Sequence, residues 1–193
     1  MEEFNINPKG FVAVDIGAST GGFTDCLLKR GVKKVYSVDV GYGQLEGSLR
    51  NDKRVIVIDR QNARHISPDQ IGESVDLVVV DVSFISLKLI LPPIMDLLKP
   101  CGQIIALVKP QFEVGKDEVE NKGVIKDSKK HYKVLLIIRD FICSKGWTLK
   151  NLTSSPIRGQ KGNKEFLIQC LPVSNNSTSL NDYGIRKKMD EKI

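Results

Sequence analysis

The segment richest in chemical possibility is Asp15-Ile16-Gly17-Ala18-Ser19-Thr20-Gly21-Gly22-Phe23, which follows the apolar run Phe11 to Val14. A buried strand that ends near an acidic residue, turns through glycines and enters a helix puts main-chain groups and a carboxylate within reach of a ligand. Gly17 permits a sharp turn. Gly21 and Gly22 keep side chains out of the way of a ligand approaching the main chain, and Phe23, otherwise a core residue, is near enough to touch it. The fingerprint GxGxxG does not fit, because Ser19 stands where its second glycine belongs, and no Gly-Lys-Ser/Thr marks a P-loop. The turn therefore suits a ligand without a pyrophosphate. The competing account is structural, with Ser19 or Thr20 capping the helix and Asp15 anchoring the turn.

Asp39 closes the next apolar run, Val35 to Val38, about 20 positions after the glycine turn, where a carboxylate accepts hydrogen bonds from a ribose diol. Turn and carboxylate together point to an adenosine moiety. Asn62, beyond the third run, is placed to reach an adenine edge. Asp81 ends Leu77 to Val80 and Lys109 ends Ile104 to Val108, 28 residues later, the length of one crossover, so both emerge at one sheet edge. Adjacent strands lie about 4.8 Å apart, close enough for the two side chains to meet. Glu165 starts the last strand, at that same edge if the strand is antiparallel to its neighbours. A partly buried lysine between carboxylates costs desolvation and so points to a catalytic cluster; a structural ion-pair network is the alternative.

The elements that must position these groups alternate. Strand-like runs at Phe11–Ile16, Val35–Val40, Val55–Ile58, Val75–Val82 and Gln103–Lys109 are separated by helical patterns at Thr20–Arg30, Gln44–Asn51, Ser86–Leu98 and Asp127–Lys145. Near-continuous apolar strands joined by helices predict an α/β, mostly parallel, doubly wound sheet. Trp147–Ser154 and Glu165–Leu171 are joined by too few residues for a helical crossover, so the sheet should end in an antiparallel hairpin. Residues 111–127 read as a mobile loop, and residues 173–193 as a polar tail or short helix outside the core.

At 193 residues, with 41% hydrophobic and 27% charged side chains, the chain has the balance of one ordinary soluble domain. Pro92, Pro93 and Asp96 interrupt its longest apolar run, and its start lacks signal-peptide character, so a membrane-spanning or secreted protein is not expected. The four cysteines are scattered and His65 and His131 are isolated, which predicts no metal centre and a reducing, cytoplasmic setting. The formal charge of +6 favours a polyanionic partner. Basic side chains gather in Lys53, Arg54, Arg60 and Arg64; in Lys116, Lys122, Lys126, Lys129 and Lys130; and in Arg158 and Lys161. Each cluster could contact phosphate or be an ordinary solvated face.

Five blocks, Asp15–Asp25, Val38–Leu45, Asp81–Ser86, Val108–Glu113 and Gly162–Leu167, together resemble the haemolysin A (TlyA) family of FtsJ-like ribosomal RNA methyltransferases. The resemblance covers about Phe11 to Leu171. It implies a Rossmann-like methyltransferase fold over residues 1–172, S-adenosylmethionine as cofactor, and methylation of a cytidine ribose 2′-hydroxyl in ribosomal RNA. The residues expected at the cofactor are Asp15, Gly17, Ala18, Ser19, Gly21, Gly22, Phe23, Asp39, Asn62 and Asp81. FtsJ-like enzymes use a Lys-Asp-Lys-Glu tetrad, whose last three places fall on Asp81, Lys109 and Glu165. The first lysine is expected upstream in a Ser-Arg-Gly-Gly-Leu-Lys-like segment, which is absent, as is the family's small N-terminal S4 RNA-binding domain. A lysine in water is neutral in only about one molecule in 2,500 at pH 7; a nearby sulfonium favours the neutral form and carboxylates the charged one. Two other readings are a non-catalytic RNA-binding or assembly module on the same fold and a nicotinamide-dependent oxidoreductase, the latter disfavoured by Ser19 and the hairpin.

Overall fold

The computed structural model describes residues 1–115, 123–173 and 178–191. Its seven strands are β1 (Val12–Ile16), β2 (Lys34–Val38), β3 (Val55–Ile58), β4 (Val75–Val80), β5 (Leu98–Val108), β6 (Trp147–Ser154) and β7 (Phe166–Pro172). They form one sheet in the order β3-β2-β1-β4-β5-β7-β6. β1 runs parallel to β2 and to β4, and β2 runs parallel to β3. β6 and β7 are antiparallel with a bulge between Leu149 and Asn151. The chain divides into two compact units, Met1–Val82 with Ile90–Ile105, and Ser83–Leu89 with Ala106–Ile193.

In the first unit, β1 is buried throughout and β4 at all but Asp76, as expected of strands covered on both faces. The exception is accounted for: Asp76 accepts from the Val12 N–H at 2.9 Å and from Lys99 Nζ at 2.7 Å. Helix α1 (Gly22–Lys29) buries Thr24, Leu27 and Leu28, and α2 (Gly47–Arg50) is a single turn. A further turn, α3 (Pro68–Ile71), carries a capping box of Ser67 and Gln70, with proline at its start and left-handed Gly72 at its end. The Ser-Pro-Asp-Gln-Ile-Gly signature was in the sequence, but four residues are too few to show helical periodicity.

Between β4 and β5 in the chain lies α4 (Leu87–Met95), and after β5 come α5 (Pro110–Glu113) and α6 (Ser128–Ser144). In the second unit α6 buries Val134, Leu135, Ile138 and Ile142 at helical spacing. The terminal segment corrects the expectation that it lies outside the core. Residues Asp182–Asp190 form α7, whose Ile185 is fully buried and whose Met189 is nearly so. Arg139 on α6 pairs with Asp182, and Ser154 Oγ and Lys164 Nζ both donate to the Met189 carbonyl. Two apolar residues at i and i+4 are enough to dock a polar helix, and too few to stand out in its composition. No described helix is long and apolar enough to cross a membrane.

Replacing Ile185 by Ala should cost about 2–5 kcal/mol of stability, the usual penalty for truncating a buried aliphatic side chain. Urea unfolding checks this, and an unchanged midpoint would show that α7 contributes nothing to the second unit's core.

Candidate active site

The glycine-rich turn hangs on the end of β2. The Gly17 and Ala18 N–H groups both donate to the Val38 carbonyl, at 2.8 and 3.1 Å. Gly17 has φ +81°, and a Cβ there would lie 2.2 Å from the Asp81 carbonyl oxygen, so glycine is required on both counts. Asp39 then clamps the turn: the Ser19 N–H donates to its Oδ2 at 2.8 Å and the Gly41 N–H to its Oδ1 at 2.7 Å. Ser19 itself sits in the left-handed region at φ +48° and is exposed. Gly21 has φ +105°, and the space its side chain would take is filled by Leu49 and Leu45; the space beside Gly22 is open. Gly21 thus serves backbone geometry and packing, and Gly22 is the glycine that leaves room.

Asp15 lies beneath this turn with no exposed surface. Thr24 Oγ1 donates to Asp15 Oδ2 at 2.7 Å and lies 2.8 Å from Ser37 Oγ. The other oxygen, Oδ1, is buried and has no hydrogen-bond partner among the described residues. Burial pushes the carboxyl from its ordinary 3.8 up to about 6; the Thr24 hydroxyl and N–H oppose this, while Asp81 and Asp39 add further negative potential. Three carboxylates sharing one field favour cations and hydroxyl donors and repel a pyrophosphate. The buried acceptor, the strand-end carboxylates and the open face at Gly22 fit an adenosyl sulfonium with an amino-acid end. Among the described residues no cluster could hold a metal ion.

Asn62 plays a local part. It caps the turn at Ala63–His65, its side-chain oxygen accepting from the Arg64 N–H at 3.0 Å. Arg54 is likewise engaged, chelating Asp52 and donating to the Leu28 carbonyl, and Arg60 stacks over Tyr42.

In the second unit, Lys109 follows β5 directly and its Nζ donates to Ser83 Oγ at 3.0 Å. Two residues on, Gln111 Nε2 donates to Glu165 Oε1 at 3.3 Å. Glu165 is buried, directly precedes β7, and lies so close to Gly159 that a Cβ there would be 1.9 Å from its carboxylate. Glu113 accepts from Ser86 Oγ at 2.6 Å and from the Leu87 N–H at 2.7 Å, anchoring the segment after β5 to the start of α4. Burial raises the Glu113 carboxyl above the usual range, partly offset by those two donors. Phe84, 83% exposed at φ +64°, leans on Phe112 with ring centroids 4.9 Å apart.

Comparison with known families finds a match to the FtsJ-like methyltransferase model over residues 1–170. The chain belongs to the FtsJ-like methyltransferase family. It is 46% identical over 168 residues to the 16S/23S rRNA (cytidine-2′-O)-methyltransferase TlyA of Mycobacterium tuberculosis, covering 87% of this chain and 63% of that protein. To Bacillus subtilis YqxC, named as a candidate rRNA methyltransferase, it is 47% identical over 169 residues, covering 87% of this chain and 60% of the relative. The chain thus spans about three fifths of these curated relatives. A solved structure from Streptococcus thermophilus, described as a candidate hemolysin, superposes with TM-score 0.91 at 41% identity, over 97% of this chain and 68% of that one. An S-adenosylmethionine dependent methyltransferase from Mesorhizobium loti shares the fold at TM-score 0.60 and 13% identity, over 88% and 94% of the two chains.

Within this FtsJ-like domain the expected cofactor residues and Asp81 fall in the first unit, and Lys109 and Glu165 in the second. The sequence reading missed Ser83 and Gln111, the partners of Lys109 and Glu165, although both lie inside blocks that carried the resemblance. It also missed Asn163, buried between two loops: its side chain accepts from the Ile125 N–H and donates to the Gly123 carbonyl, each at 3.0 Å. Of the basic residues, Lys116 and Lys122 lie outside the described residues.

The buried carboxyl sets a pH dependence. Between pH 4 and 6 folded Asp15 holds a proton that the unfolded chain releases, so its effect on stability runs downhill as pH rises through this window and is flat above it. The difference should reach about 3 kcal/mol. Asp15→Asn should flatten this slope, as read by urea unfolding of both proteins between pH 4 and 7; parallel curves would refute the assignment.

Proposed function

We propose that this chain is the catalytic part of an S-adenosylmethionine-dependent ribosomal RNA methyltransferase that modifies a cytidine ribose 2′-hydroxyl in the cytoplasm. The observation that carries the cofactor half of this reading is the unpartnered Asp15 Oδ1, buried beneath a glycine turn whose flanking charges are carboxylates. The substrate half is supported by relatives named for that reaction.

S-adenosylmethionine, when bound, supplies an electrophilic methyl group on a positively charged sulfur. Asp39 and Asp81 are the residues that would hold its cationic and diol groups, with Asp15 adding negative potential from within β1 and Gly22 leaving the main chain open. Lys109 orients the ribose hydroxyl and takes its proton as the oxygen becomes nucleophilic. Ser83 Oγ fixes the Lys109 amine, and Gln111 fixes Glu165. Holding hydroxyl and methyl donor in line supplies much of the acceleration. Phe84, an exposed ring one residue from Ser83, gives the target base a stacking surface.

S-adenosylhomocysteine should raise the thermal midpoint of the chain and NAD should not, since only a ligand of the folded state stabilises it. Lys109→Met should abolish transfer of labelled methyl groups to ribosomal RNA while leaving S-adenosylhomocysteine binding intact; retained turnover removes Lys109 from this role. Phe84→Ala should weaken use of RNA by about tenfold, consistent with 1–3 kcal/mol per stacked base, with cofactor binding unchanged.

A further inference from the structure

The second unit contains a cavity of about 430 Å³ that the cofactor reading leaves unused. Its walls come from the segment before α6 (Ile125, Lys126), the hairpin loop (Arg158, Lys161, Lys164) and the end of α7. The described lining carries the cations Lys126, Arg158, Lys161 and Lys164 against one carboxylate, Asp190. This is the reverse of the acidic glycine turn, and such a concentration of like charge in a concave wall favours an anion.

Lys164 and the loop backbone that carries Arg158 and Lys161 are held in place. Lys164 Nζ donates to the Met189 carbonyl at 2.8 Å and lies 5.2 Å over the Phe166 ring. The hairpin loop folds on itself, with the Gly159 N–H donating to the Asn163 carbonyl and the Gly162 N–H to the Gly159 carbonyl, at 2.9 and 3.0 Å. Asn163 then ties that loop to Gly123 and Ile125 on the facing wall. Lys161 sits at φ +59°, a conformation costly for a lysine, and it is exposed. Burial lowers the Lys164 pKa, the charge of Asp190 opposes this, and that of Arg158 lowers it further. Ser128, the first residue of α6, also lines the cavity, but Asp127 caps that helix, so the helix end adds little to the attraction.

We propose that this cavity seats a backbone phosphate of the RNA substrate, through Lys126, Arg158 and Lys161, with Lys164 as the fixed positive floor. The inference rests on the reading of the chain as an RNA methyltransferase and adds to it a place for the strand itself. Lys164 immediately precedes Glu165, so a phosphate bound here holds the strand by a residue adjacent in the chain to the one assigned to the reacting ribose. Contacts of this kind set position and register and read no sequence. Asp190 opposes the anion and tempers the affinity.

The test uses the whole chain, a labelled single-stranded RNA of about 20 nucleotides, and fluorescence anisotropy across a salt series. The triple variant K126Q/R158Q/K161N changes exposed side chains and keeps a residue that tolerates the left-handed conformation at position 161. It should bind RNA about tenfold or more weakly, with a salt slope reduced by about 0.7, as expected for one lost phosphate contact on a single strand. Its thermal midpoint and S-adenosylhomocysteine affinity should match the parent's. Asp190→Asn should move the other way and tighten RNA binding by about threefold at low salt, a gain that misfolding cannot produce. Unchanged affinity and slope in the triple variant would overturn the proposal. So would stabilisation by inorganic phosphate that the triple variant loses while its RNA binding stays intact, which would mark a site for free phosphate. A parent chain that binds RNA through these residues but transfers no methyl group would defeat the catalytic reading and leave this one standing.

Discussion

Burying the Asp15 carboxyl within β1 costs solvation that one threonine hydroxyl and one N–H only partly return, and the rest of the first unit is arranged around that imbalance. Asp15 Oδ1 is buried without a hydrogen-bond partner among the described residues, Asp39 holds the following turn by two backbone N–H groups, and Asp81 follows the adjacent β4. A core built for stability alone would place an apolar side chain at position 15. A carboxylate kept there, with two others in its field, is a standing preference for a positive ligand. The same arrangement accounts for Gly17, whose missing side chain lets the turn close on the Asp81 carbonyl.

The second unit solves a different problem, that of tying its described loops to the elements beside them. Glu113 caps the start of α4, and Asn163 stitches the hairpin loop to the segment before α6. Gln111 reaches Glu165. Each link is a polar side chain meeting main-chain groups or a carboxylate, worth more when buried because the alternative is an unsatisfied group. The effect is to fix Lys109, Glu165 and the basic hairpin loop on a common frame, with α7 closing one wall of the cavity. Charge is divided accordingly, carboxylates around the glycine turn and cations around the hairpin loop.

Strand positions, the parallel order and the closing hairpin were legible because apolar runs and glycine punctuation are local signals. The blocks around Asp15, Asp81, Lys109 and Glu165 were legible for the same reason, each being a charged residue at the edge of such a run. Asn62 shows the limit of that logic. A polar residue after a strand reads equally well as a ligand contact or a cap, and the structure uses its oxygen to cap Ala63–His65. Gly21 shows it again, since packing against Leu45 and Leu49 cannot be read from a glycine's neighbours in the chain.

By itself, then, the amino-acid order determined the alternation of elements, the acidic character of the turn and the family to which the chain belongs. All of these depend on side chains within a few residues of one another or on motifs kept in register by strand ends. Only the tertiary structure decided that Thr24 partners Asp15, that Gln111 partners Glu165, that α7 belongs to the core, and that four scattered cations share one cavity. Those facts join residues from separate segments, from 9 positions apart for Thr24 and Asp15 to 54 for Gln111 and Glu165. Such pairings follow from how the chain packs, where the balance of burial against polar satisfaction is struck across the fold and not along the sequence.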